Sequence, residues 1–214
     1  MGERRAPQLL AGLEELGAAR ARTMALARGL TQAQLDYRPA GGAWSAGEVL
    51  DHMLLAEATN RDQLTRLVGM ARAGRRRPEL WLSFADVNVS VAYVPRSLLY
   101  ALEGPLTLMN VFVPDGLRNY LTRNRLLPFR NPDQAEPRRG RASRALLEDL
   151  DASLRETEAL LADNPDLDYG AMSVRHPLLG RYDVPGLLRF MASHEQRHQS
   201  QLEEIVSDPQ FPRG

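Results

Sequence analysis

The sequence contains no cysteine. That excludes disulfides, thiolate metal ligands and an internal thiol nucleophile. Lysine is absent as well, so all 27 basic residues are arginine. Schiff-base chemistry and the phosphate-binding lysine of a P-loop are therefore excluded too. The formal net charge is zero, whereas a chain that neutralises nucleic-acid phosphates carries a basic excess. No nucleic-acid partner is expected. Long hydrophobic runs are also missing. The most apolar region, Leu80 to Val113, is interrupted by Asp86, Arg96, Glu103 and two prolines, which argues against a membrane span. The opening Met1-Gly-Glu-Arg-Arg-Ala-Pro7 has no apolar run of the signal-peptide kind. These features read as a cytoplasmic protein with no membrane partner.

What is present is ordinary in amount and specific in pattern. A chain of 214 residues, 43% hydrophobic and 25% charged, suits a single domain over 1–214 with a real core. Four segments carry helical periodicity. The first, about 7–28, puts Leu9, Leu13 and Leu16 on one stripe and ends at Gly29. Thr31 to Asp36 adds a short turn. The second, about 45–73, opens with Ser45-Ala-Gly-Glu48, the pattern of a capping box. Leu50, Met53, Leu54, Leu64 and Val68 form its apolar face.

The third segment, about 143–162, carries Leu147, Leu150, Leu154 and Leu161 and stops at Asn164-Pro165. The fourth, about 184–206, follows Asp183, has Pro185 in its first turn, and buries Leu187, Met191, Leu202 and Ile205. These periodicities predict an all-α chain with a long irregular insertion, about 78–141, between the second and third helices. Within it, Val87 to Val94 is compatible with a strand or a buried loop. Pro95 to Leu102 has a helical pattern, and Arg130 to Arg141 is polar and proline-rich, as exposed loops are.

Histidine is scarce: His52, His176, His194 and His198 are the whole supply. His194 and His198 stand four apart, so they share one face of the last helix, in the middle of its apolar stripe. Two adjacent buried imidazoles are costly unless something compensates them. A metal ion accepting one lone pair from each does so. The alternative is a pair of core histidines bonded to their neighbours. His52, on a segment with little polar surface among Val49, Leu55 and Ala56, reads by itself as a half-buried histidine bonded to a carbonyl; beside the other two it becomes a candidate third ligand from a facing helix. Three imidazoles leave coordination positions open for water and substrate, as catalytic sites do.

Other patterns carry less. His194-Glu-Gln-Arg-His198 matches the literal H-E-x-x-H of zinc proteases, but only 16 residues follow it. Gln201 and Glu204 also stand where the extended motif needs glycine and histidine. Around Ser45, Gly42-Ala-Trp-Ser45-Ala-Gly47 has one residue too many before serine for a nucleophile elbow, and no strand precedes it. Glu48, one turn before His52, is a weak catalytic candidate that capping alone explains. Glu195 is expected in solvent or behind the histidines, and Trp44 as an anchor of its turn. Asn60 and Asp62 are candidates for fixing an imidazole tautomer. His176, before Pro177, is expected in a structural bond, and Arg75 to Arg77 and Arg138 to Arg141 read as solvated charge runs.

Trp44-Ser-Ala-Gly-Glu-Val-Leu-Asp-His52 is followed by His176-Pro-Leu-Leu-Gly180 and then by Phe190, His194, His198, Gln201 and Leu202. Taken together, these resemble the DinB/YfiT-like superfamily over roughly residues 5–75 and 143–206. The resemblance implies a four-helix bundle with a histidine triad, which by position becomes His52, His194 and His198. It also implies one divalent transition metal, zinc or nickel, and a small-molecule substrate. Relatives include thiol S-transferases that use a low-molecular-weight thiol, a thiol-dependent isomerase, and proteins described as metal-dependent hydrolases. Enzymes of that kind activate water or an external thiol, so the lack of cysteine is compatible with the scheme. A non-catalytic metal- or ligand-binding protein using the same pocket is the other implied reading. Dimers are common in the family, so a homodimer is among the expectations.

Overall fold

The computed structural model describes residues 6–83, 90–91, 129–130, 136–177 and 180–213. Four long helices dominate it: α1 (Ala6–Ala27), α3 (Ala46–Arg72), α4 (Ser143–Ala162) and α5 (Val184–Val206). A short α2 (Gln32–Asp36) lies between the first two. The four expected long helices are present, with ends within a residue of the predicted ones. The starts are chemically marked. Thr31 and Ser45 both head complete capping boxes, with Gln34 and Glu48 reaching back to the cap amides. Asp183 accepts from the Gly186 amide at 2.8 Å, ahead of α5.

Buried apolar residues fall into two clusters. One holds Leu16, Leu64, Leu161, Leu187 and Met191, the other Met24, Leu50, Met53, Leu150 and Leu202. Their order along each helix gives the chain's direction. α1 and α5 pass from the first cluster to the second, while α3 and α4 pass from the second to the first. α3 and α4 therefore run the same way. Close packing of α1 on α5 is permitted at Gly12, where an added Cβ would lie 3.1 Å from both Leu188 Cβ and the Pro185 carbonyl.

Between the two clusters every long helix contributes buried polar groups: Arg20 and Thr23, Glu57, Ser153 and Thr157, Glu195 and Gln199. The Arg20 guanidinium donates to Glu57 Oε2 at 2.6 Å and to both oxygens of Glu195 at 2.9 and 3.2 Å. It also donates to the Leu150 carbonyl. Thr157 Oγ1 donates to Glu57 Oε1 at 3.2 Å, and Gln199 Nε2 to the Ala19 carbonyl at 2.7 Å. One side chain of α1 is thereby tied to all three other long helices.

The structure is mostly helical, consistent with the all-α expectation, and a small three-stranded sheet that the sequence did not reveal packs on the helices. Its order is β1 (Glu79–Trp81), β4 (Ser173–His176), β5 (Gly180–Asp183). β1 runs parallel to β4, with Glu79 opposite Ser173, and β4 pairs antiparallel with β5, with His176 opposite Gly180. The first residues of the presumed irregular insertion are thus an edge strand beside the histidine-proline segment. Three residues are too few to show a strand period, and the partner lies far along the chain. A second pair, β2 (Ser90–Val91) with β3 (Phe129–Arg130), is antiparallel, so the strand reading of Val87 to Val94 holds over those two residues. The helix expected at Pro95 to Leu102 lies outside the described residues. No helix among the described residues is long and apolar enough to cross a membrane.

The close approach at Gly12 yields a direct test. Gly12→Val forces a branched side chain against a backbone carbonyl and should lower stability by about 1–3 kcal/mol, read as an earlier urea midpoint. An unchanged midpoint would show that α1 and α5 can separate at no cost.

Candidate metal centre

His52 lies in the second turn of α3, and His194 and His198 on consecutive turns of α5. The fold brings all three together. Ring centroids are 4.7 Å apart for His52 and His198, 5.3 Å for His52 and His194, and 4.6 Å for His194 and His198. One nitrogen from each ring lies within 4.8 Å of the others. The Nε2 atoms of His194 and His198 are 3.3 Å apart. Two nitrogens on a tetrahedral ion, each with a bond of about 2.1 Å, stand about 3.4 Å apart. The donor set therefore fits a divalent ion in chemistry and in spacing.

Two features keep the rings in the form a metal needs. His198 Nδ1 lies 3.0 Å from Gln201 Oε1. Since that oxygen can only accept, Nδ1 carries the proton and the lone pair is on Nε2, facing His194. The His194 pKa is lowered well below its ordinary value, first by burial, then by His198, His52 and Arg197. Its ring is neutral at physiological pH. The Trp44 ring lies tilted 4.9 Å from His52, and Phe190 lies 6.3 Å from His194.

A small cavity adjoins the cluster, with His194, Arg20, Glu57 and Glu195 on its polar side and Met53 and Met191 on its apolar side. Glu195, expected in solvent or behind the histidines, does not lie in solvent: it is buried and bound by Arg20. Arg20 and Glu57 were legible only as charged residues on otherwise apolar stripes, four places after Leu16 and Met53 respectively. Burial works against the Arg20 charge, but Glu195 and then Glu57 hold its pKa above the ordinary value.

Glu48 is committed elsewhere. It caps Ser45 at 2.9 Å and is bridged by Arg38 and Arg139. Burial would raise its pKa, yet the Ser45 amide, Arg139 and Arg38 hold it lowered. Asp51, fully buried beside His52, accepts from the Arg138 amide at 2.7 Å and from Arg141 Nη1 at 2.7 Å. The run Arg138 to Arg141 is thus no simple solvated loop: it docks on the first turns of α3. Arg75 to Arg77 are exposed as expected; Asp62, a candidate for fixing an imidazole tautomer, is exposed too. Asn60 donates to the Ala56 carbonyl and lines the cavity. His176, at the end of β4, stands outside the cluster.

Asp51 makes the acid limb of stability predictable. Burial alone would raise its pKa, but the Arg138 amide, Arg141 and Arg138 outweigh it and hold the pKa below 3.8. The contribution of Asp51 is then fully present above the unfolded value and is lost as pH falls through the lower folded value. Asp51→Asn should cost about 1–3 kcal/mol at pH 7. The gap to the wild type should close toward pH 3 in urea titrations, and a gap that persists unchanged would contradict this.

The sequence profile of the DinB superfamily matches residues 15–202. No curated protein and no solved structure matches the chain. The profile covers two of the four long helices entirely, most of α5, the second half of α1, and all three histidines. With this coverage, and with the three imidazoles converging as described, the chain belongs to the DinB superfamily.

Proposed function

We propose that the protein holds one divalent transition-metal ion on His52, His194 and His198 and works as a metal-dependent enzyme. The reaction is transfer of a low-molecular-weight thiol to a small electrophile, or hydrolysis. The observation that carries the reading is the 3.3 Å separation of His194 Nε2 and His198 Nε2 with the His52 ring beside them. Three imidazoles suit zinc or nickel. An ion held there would supply Lewis acidity, making water or a thiol a competent nucleophile near neutral pH. The four long helices correspond, on this reading, to the four-helix bundle of the superfamily.

The chain's own residues prepare the site. Gln201 fixes the His198 tautomer, burial keeps His194 neutral, and Trp44 and Phe190 lie beside the rings. With no cysteine in the sequence, any thiol comes from a cosubstrate. A second reading, metal or ligand binding without turnover, draws on a different observation. Glu48, Glu57 and Glu195 are all bound by arginine. Each of the three is already engaged in an ion pair.

Elemental analysis of untagged protein should find about one metal ion per chain, and His194→Ala should remove it. A wild type that takes up neither zinc nor nickel would sink the proposal. Gln201→Leu should weaken metal binding about 10–100-fold, read by chelator competition, and unchanged affinity would dismiss the tautomer argument. Small electrophiles screened with several thiols, using His52→Ala as control, separate enzyme from binder. Turnover surviving that substitution would rule out metal catalysis.

A further inference from the structure

The buried cluster beside the histidines does not balance in formal charge. Arg20 contributes one positive charge, and Glu57 and Glu195 contribute two negative ones, all three residues being at most 4% exposed. The remaining partners, the Leu150 carbonyl and the Thr157 hydroxyl, are neutral. Among the described residues, one negative formal charge of this cluster is therefore left over. Arg61 reaches the edge of the cluster, donating to Ser153 Oγ at 2.7 Å and Thr157 Oγ1 at 3.5 Å, but brings its own counter-ion, Glu156, at 2.8 Å, so counting both leaves the balance unchanged. Uncompensated buried charge is costly, and apolar packing of the same volume usually serves stability as well or better. The histidine centre has the opposite imbalance. Three neutral imidazoles would leave both charges of a divalent ion uncompensated, and Arg197 adds positive potential at His194. Glu195 follows His194 directly in α5, and the same cavity touches His194, Glu57 and Glu195.

We propose that the Arg20–Glu57–Glu195 cluster is the counter-charge of the metal centre: its excess negative charge stabilises the divalent ion across the cavity. The inference rests on the metal reading above. Glu57 and Glu195 are on this view positioning residues for the ion, acting through the field and touching neither ion nor substrate. Arg20 sets the strength of that field by neutralising one of the two carboxylates and holding both in place.

Glu57→Gln tests this cleanly. The amide keeps the shape, its oxygen can accept from Arg20, and its nitrogen can donate to Thr157 Oγ1. Thr157 already has a second acceptor in the Ser153 carbonyl at 3.2 Å. Zinc and nickel dissociation constants would be measured by chelator competition, alongside the melting temperature of metal-free protein. The variant should bind metal at least about tenfold more weakly, as expected for a charge acting on a dication through partly desolvated protein. Its metal-free form should melt no lower than the wild type. Thr157→Val, which removes a hydrogen bond and keeps the charge, should lower the melting temperature and leave the dissociation constant within about twofold.

If Glu57→Gln folds poorly, Glu195→Gln carries the same expectation. Equal metal affinity in wild type and the glutamine variant overturns the counter-charge and leaves the metal centre standing. So does an equal loss in Thr157→Val, which would mark the cluster as merely structural. A wild type that takes up no ion at all overturns the metal reading itself, and the counter-charge with it.

Discussion

A guanidinium buried on α1 constrains everything around it. Arg20 can be taken out of water only if each of its donors finds an acceptor, and the acceptors come from α3, α4 and α5. Apolar contacts alone tolerate sliding, because a leucine stripe shifted by one turn still meets leucines. The Arg20 cluster does not tolerate it. A slip of one turn, about 5.4 Å, would strand a charge in the interior at a cost of several kcal/mol. The polar layer thus sets the register of four helices whose apolar clusters lie above and below it.

That register is what assembles the histidine centre. His194 is adjacent to Glu195 in α5, and Met53, one residue after His52, lines the cavity together with Glu57. Whatever aligns Glu57 with Glu195 through Arg20 also brings the histidine rings within 5.3 Å of one another. Gln199 adds a second tie, from α5 back to the Ala19 carbonyl and Thr23 on α1. A precise donor geometry is reached here by fixing whole helices, with little left to the flexibility of individual side chains.

The start of α3 is held by a second electrostatic device. Glu48 and Asp51 are almost fully buried, and arginines from two directions neutralise them: Arg38 from the preceding loop, and Arg138, Arg139 and Arg141 from the segment before α4. The segment Arg138 to Arg141 is thereby pinned to the first turns of α3. Arginine's fork allows one side chain to serve two carboxylates at once, as Arg141 does for Asp51 and Asp149. A chain whose basic residues are all arginine is well equipped for that work.

Features that depend on near neighbours were legible in the sequence. The long helices, the Ser45 capping box, the aspartate ahead of α5 and the shared face of His194 and His198 all follow from spacings of three or four residues. His52 as the third ligand followed from scarcity and from the resemblance, and the fold brings it to the other two. Gln201 was visible in the motif without a role, since its bond to His198 depends on a rotamer. Other features were decided only by tertiary structure. The pairing of Glu79–Trp81 with Ser173–His176 joins segments that no local period connects. The burial of Arg20, Glu57 and Glu195, and the docking of Arg138 to Arg141 on Asp51, run against what charge predicts residue by residue. The physical reason is the same in each case. Periodicity records which face of an element is apolar, whereas an ion pair or a strand pair exists only once two distant segments meet, and one sequence carries no local trace of that meeting.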